Sequence, residues 1–335
     1  MNQENSEILY KFLTQNPQLL KLFARDVKAS LDVQADEFLQ EDYRQLVDFQ
    51  HRLFQTWKAP MVRLDSMIAC ALETCSEVNM EYRRGNVLNP NQLNVATRLH
   101  ARAINIAREI SHLLKGGYAD GAMARWRSLH ENSVIAEFLS QGDENLSVRF
   151  LDYQAVIRLK AARSYLEHQE FLDFERISSE QMEKYKEEVD ALCEKYGKNF
   201  KSKYGWACEK FPNDKQVTFQ TIEKYVDLSF LRIHYGFASA NVHSGIDSIG
   251  YKLGLSMSEK DILLAGPSNE GLTEPFQCTS LSLCQATDSL IALASTTYRD
   301  LGSEVLWQMH ESMKKEIVEA SDAMRNSVSV STSIL

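Results

Sequence analysis

Apolar residues recur every three or four positions along most of the 335-residue chain, the spacing of one buried face of an α-helix. Leu99, Ala103, Ile106, Ile110 and Leu113 line such a face, while Arg98, Arg102, Asn105, Glu109 and His112 form a separate polar stripe. Asn89-Pro90 predicts the start of this helix, because proline is tolerated in a first turn, and Gly116-Gly117 predicts its end, because glycine takes the left-handed cap. A second helix is expected from Asp120, as its N-cap, to Ser140, with Gly142 closing it, so the two form an antiparallel hairpin.

The same periodicity predicts helices over 9–30, 35–55 and 61–83, read as an extension packed on the central bundle, and over 146–172. Ser178 and Gln181 offer a capping box that opens a charged stretch; 177–226 holds nine lysines and nine acidic residues with few large aliphatics, which suits a solvated arm. A long helix is expected over 221–243, a loop-rich stretch over 245–275, and a final helix pair over 278–301 and 303–324. The expected architecture is all-α: a helical bundle with N-terminal and C-terminal helical extensions. Its parts are an extension at 1–88, a core at 89–251 with a charged arm near 178–203, a loop and helix pair at 252–326, and a disordered tail at 327–335. The tail alternates Ser or Thr with aliphatics, a pattern also compatible with a strand added to a partner's sheet edge.

Composition supports helices and narrows the function. Only 14 Gly and 6 Pro argue against a many-stranded β protein. The formal charge is −9, and residues 227–335 contribute seven basic against 13 acidic side chains, a net of −6. This argues against a general basic coat for nucleic acid, and any phosphate contact has to use a local pocket. The first twenty residues lack a basic segment followed by an apolar one, and no window approaches the roughly 18 apolar residues of a membrane helix. A cytoplasmic protein without membrane contact is expected. Six cysteines without a C-x-x-C pair are expected to be buried thiols, and neither a metal site nor a cofactor is expected.

Two polar stripes on apolar helix faces carry the candidate chemistry. At about 100° per residue, Arg127 and Glu131 share a narrow sector with Met123, Val134 and Phe138. Two explanations stay open, a structural ion pair that fixes helix register and a functional pair. Arg232, Tyr235, Ser239 and His243 fall on one face at offsets of three, four and four, beside the small residues Gly236, Ala238 and Ala240 that let a second helix approach. Convergent Arg, Glu, Tyr, Ser and His groups on close-packed helices are the composition of a ligand site. A single histidine or serine on an apolar face is more often a hydrogen-bonded core residue.

The stretch 104–139, then Tyr204-Gly205-Trp206, then Tyr235-x3-Ser239-x3-His243, resembles the bacterial helical family of unknown function DUF5677. More distantly it resembles the HEPN group of toxin and defence ribonucleases, whose signature is Arg followed four to six residues later by His, as in Arg125 and His130. That resemblance implies a HEPN-like core and a homodimer acting as a metal-independent ribonuclease in a toxin or phage-defence setting. RNA would bind in a local pocket, with histidine acting on the 2′-hydroxyl or leaving group and arginine steadying the phosphate. Arg125 and His130 stand about 140° apart on a regular helix, so Arg127, Glu131 and His243 are the first catalytic candidates. Arg232, Tyr235 and Ser239 would bind and orient, and Arg125 with His130 form the alternative pair. The other expectation is a non-enzymatic binding or regulatory module, its stripes packed as a hydrogen-bond network and its surface contacting a partner protein.

Overall fold

The computed structural model describes residues 10–12, 14–84, 88–168, 171, 175–243, 245–257, 262–293 and 298–332, all helix and connecting turn with no strand among them. The chain divides into two compact units, Met1–Gln55 and Thr56–Leu335. The first is helical from Pro17 onward, and its side chains are mostly exposed.

Helix α1 (Pro17–Arg83) runs through what periodicity predicts as separate helices. Pro60 has no N–H to donate inside the helix, and Trp57 takes non-helical angles (φ −104°, ψ 18°) while the helix resumes. Leu53, Trp57, Met61, Leu64 and Met67 are buried, and this apolar run outweighs the proline penalty.

The centre of the second unit is the expected hairpin, α2 (Pro90–Lys115) and α3 (Ala119–Ser140). Gly117 takes φ 78°, which lets Tyr118 N–H reach the Leu113 carbonyl (2.9 Å) and Gly117 N–H the Leu114 carbonyl (3.0 Å). α3 starts one residue before Asp120, whose carboxylate accepts instead from the Leu253 and Gly254 amides (3.0 and 3.3 Å). At the far end, Glu144 accepts from the Asn91 and Gln92 amides at the N-terminus of α2, and Gln92 donates to the Leu139 and Gly142 carbonyls that end α3. Each helix end is thereby capped by the other's neighbourhood.

The 146–172 segment divides into α4 (Glu144–Asp152) and α5 (Gln154–His168), broken at Tyr153. In α6 (Ser179–Tyr196), Ser178 accepts from Gln181 N–H at the N-cap (3.1 Å). The charged stretch is more than a solvated arm: Met182 and Val189 are buried, and Phe200 and Trp206 enter the core, because the lysines sit on the outer face while these apolar positions face inward.

The predicted helix over 221–243 is interrupted. Thr218 and Thr221 cap α7 (Phe219–Tyr225), Asp227 takes φ 56°, a short 3-10 turn covers Ser229–Leu231, and α8 (Arg232–Ala240) follows. α9 (Ile246–Gly250) lies in the loop-rich stretch.

α10 (Thr273–Ile291) packs on α2, α3 and α11 (Tyr298–Thr332). Its buried side is rich in Ser, Thr, Cys and Ala, which permits close approach, and Thr287 and Ser289 hydroxyls return to carbonyls one turn back (2.8 Å each). α11 runs as helix to Thr332, and residues 333–335 of the expected tail lie outside the described residues.

Candidate functional site

Three helices supply a polar cluster inside the second unit. α3 presents Trp126, Arg127, His130 and Glu131; α7 presents Phe219 and Glu223; α8 presents Arg232 and Tyr235. The left-handed turn at Asp227 matters here, because it reverses the chain between Glu223 and Arg232 and sets them against each other.

The inner part is fully buried. His130 and Glu223 side chains are both 0% exposed, with His130 Nε2 2.8 Å from Glu223 Oε1. The buried Nδ1 of the same imidazole has no partner among the described residues. The Trp126 ring stacks on His130 (centroids 5.3 Å apart), and the Trp126 indole N–H donates to the Cys278 carbonyl of α10 (2.9 Å). On its other side Glu223 forms a close ion pair with Arg232, out of hydrogen-bond alignment. Arg232 Nη2 is taken up by that pair, and Arg232 Nε is shielded from water with no acceptor of its own among the described residues.

The outer part is half-buried. Arg127 Nε donates to Glu131 (3.2 Å), and the Tyr235 hydroxyl donates to the same carboxylate oxygen (2.5 Å). The Arg127 and Arg232 guanidinium carbons lie 4.8 and 5.0 Å from the Tyr235 ring centre, and Phe219 stacks on that ring at 5.3 Å. Burial, and then the Glu131 carboxylate it bonds, push the Tyr235 phenol up to about 12. Tyr204 is raised as well, first by burial and then by Glu131. Burial pulls the Arg127 guanidinium down, but Tyr235 and Glu131 outweigh it and raise it overall. The phenol is thus held as a donor, locking α8 onto α3.

Arg127, Glu131, Arg232 and Tyr235 are therefore brought together. Ser239 is not part of the cluster's bonding: its hydroxyl donates to the Tyr235 carbonyl one turn back (2.7 Å). His243 lies beyond the end of α8, exposed, and no hydrogen bond joins its side chain to the cluster among the described residues. Of the alternative pair, Arg125 is tied to Glu109 near the surface and His130 is sealed. Glu223 escaped the sequence reading, because it sits in a lysine-rich stretch that resembles a solvated face. The capping threonines before it, with Ile222 and Val226, are the signal that marks a short packed helix.

Beside this cluster, α8, α9 and the residues joining them line an open groove of about 840 Å³. Arg232 enters it together with Ile233, Gly236, Phe237, Asn241, Ile246 and Tyr251. The Phe237 and Tyr251 rings lie 6.0 Å apart, and a Cβ added at Gly236 would meet nothing within 4 Å. Large apolar side chains line it: Ile233 is 63% exposed, Phe237 54% and Ile246 77%. Asp247 adds one carboxylate to the wall. Among the described residues no group of three His, Cys, Asp or Glu side chains is placed to hold a metal ion. No described helix is long and apolar enough to cross a membrane.

Fold and site together define an all-α protein in which a buried His–Glu–Arg chain and an Arg–Glu–Tyr cluster fix one short helix beside an apolar groove. Residues 93–261, half of the chain, match the model of DUF5677, a family of unknown function, and the chain belongs to that family. The match spans the α2–α3 hairpin almost entirely, the cluster and the groove; α10 and α11 lie outside it. No curated protein and no solved structure matches the chain.

Proposed function

We propose that this protein is a helical binding module that grips a partner protein through the α8–α9 groove, with the buried cluster serving to hold α8 in place. The observation that carries this is the groove itself: exposed Ile233, Phe237 and Ile246 line it together with Arg232, whose side chain is one-third exposed. Contiguous apolar surface of this kind is costly to leave in water and marks an interaction site. An amphipathic helix bearing one carboxylate suits it: the apolar side chains fill the groove, and the carboxylate meets the third of the Arg232 side chain that is exposed. The cluster supports a positioning role, since the Tyr235 hydroxyl is already given to Glu131, Glu223 is taken up by His130, and His130 is wholly buried.

Phe237→Asp leaves the cluster untouched and places a charge on the groove. In the native cells, proteins that co-purify stoichiometrically with the wild type should be lost with Phe237→Asp and kept with His243→Ala. Equal recovery with all three chains rejects the groove.

A second proposal rests on one specific feature. Arg127 and Arg232 both lie against Tyr235, and His243 is solvent-open on the segment leaving α8, a composition suited to metal-independent RNA cleavage of the HEPN type by a homodimer in a toxin or defence setting. In that case His243→Ala abolishes cleavage of single-stranded RNA without lowering the thermal midpoint. Absence of cleavage by the wild type removes this proposal and leaves the first standing.

A further inference from the structure

The first unit carries an apolar stripe that none of its described residues covers. Leu20, Phe23, Val27, Leu31 and Phe38 follow one another at helical spacing along α1, each between 46% and 57% exposed. At about 100° per residue they fall within one sector roughly 80° wide. Over the 25 residues 17–41 this part of the helix is about 37 Å long, at ~1.5 Å per residue.

Charge along the same segment is polar end to end. Residues 17–28 hold Lys21, Arg25 and Lys28 against Asp26, a net of +2, whereas 30–41 hold Asp32, Asp36, Glu37 and Glu41 with no Lys or Arg, a net of −4. Some of these charges are paired along the helix, as Lys28 with Asp32 at 2.5 Å, but the end-to-end imbalance remains.

We infer that this stripe is a self-association surface, and that its occupant is the same segment of a second copy, packed antiparallel about the level of Ala29. In that register Leu20 of one copy lies at the height of Phe38 of the other, Val27 at that of Leu31, and the bulky Phe23 meets the small Ala35. The +2 half of each copy then runs along the −4 half of the other, while a parallel pair sets like charge on like charge. The two halves are related by a two-fold axis, so the contact closes at a dimer. The inference is independent of the α8–α9 groove.

The full-length chain tests it by light scattering coupled to size-exclusion chromatography. The wild type should elute as a dimer, and Val27→Asp with Leu31→Asp should give a monomer with the helical circular dichroism of the wild type, because both side chains are half-exposed within a single copy. Raising the salt should weaken the dimer by about tenfold as the opposed charges are screened. Orientation is read by disulfide trapping. Leu20→Cys chains mixed with Phe38→Cys chains should link to each other, whereas Leu20→Cys alone should not, the two positions being about 27 Å apart in an antiparallel pair at ~1.5 Å per residue. A wild-type monomer, a dimer that survives the double substitution or is lost instead with Phe237→Asp, or self-linking of Leu20→Cys alone would overturn the inference.

Discussion

Glu223 is the residue on which the position of α8 depends, and replacing it gives a sharp energetic test. Its side chain is wholly buried, it holds His130 at 2.8 Å, and it faces Arg232 across an ion pair. Glu223→Ala removes both interactions at once and leaves two polar groups behind. Breaking a buried ion pair by deleting one partner costs about 3–5 kcal/mol. Arg232 is about one-third exposed and can turn partly to water, so the lower end, about 3 kcal/mol, is expected. Glu223→Gln keeps an acceptor for His130 Nε2 and loses only the charge, and should cost about 1–2 kcal/mol. Glu223→Leu combined with Arg232→Leu replaces a buried pair by apolar side chains, and the double variant should be more stable than Glu223→Ala alone. Urea unfolding followed by far-ultraviolet circular dichroism measures all three. A Glu223→Ala chain within about 1 kcal/mol of the wild type would refute the claim that this carboxylate anchors α8.

Three further outcomes follow from other parts of the molecule. His100 is fully buried against the Thr287 hydroxyl (3.0 Å), and burial holds it near 4, well below its ordinary value of 6.5. Because the folded state binds its proton less readily than the unfolded one, its contribution is complete above about pH 6.5 and is lost as pH falls toward 4, amounting to about 3 kcal/mol. The stability-versus-pH curve of His100→Gln should be flatter across that window, and an unchanged slope contradicts the assignment. Gly236 sits in α8 with open space where a Cβ would go, so Gly236→Ala should raise stability by about 0.5–1 kcal/mol in the same urea assay, while Gly236→Trp should fill the groove and block partner recovery. Gly205 differs: an added Cβ would lie 2.0 Å from the Phe200 carbonyl oxygen, so Gly205→Ala should lower the thermal midpoint by more than 10 °C, and a shift of a degree or two would show that this turn can relax.

The elements legible from sequence are those whose signals are local. The α2–α3 hairpin is written in Pro90, the Gly116-Gly117 cap and a clean apolar face, and the structure keeps all three. The pairing of Arg127 with Glu131 on α3, and of Arg232 with Tyr235 on α8, was visible as charge on apolar faces. The break at Asp227 was not visible, since a left-handed aspartate leaves no mark in periodicity, and one helix over 221–243 set Tyr235, Ser239 and His243 in a single line. Once the chain turns there, Glu223 rather than His243 completes the cluster. The gap between the helices expected over 35–55 and 61–83 closes in the opposite direction: burial of Trp57 and Met61 carries one helix across Pro60.

The most direct test of the binding account is photo-crosslinking from the groove in the native cells. With the photoreactive residue p-benzoylphenylalanine replacing Phe237, irradiation should yield one discrete protease-sensitive adduct, and the same residue replacing the exposed Lys224 should yield none. Adducts that are digested by ribonuclease, or no adduct above the Lys224 control, would contradict it.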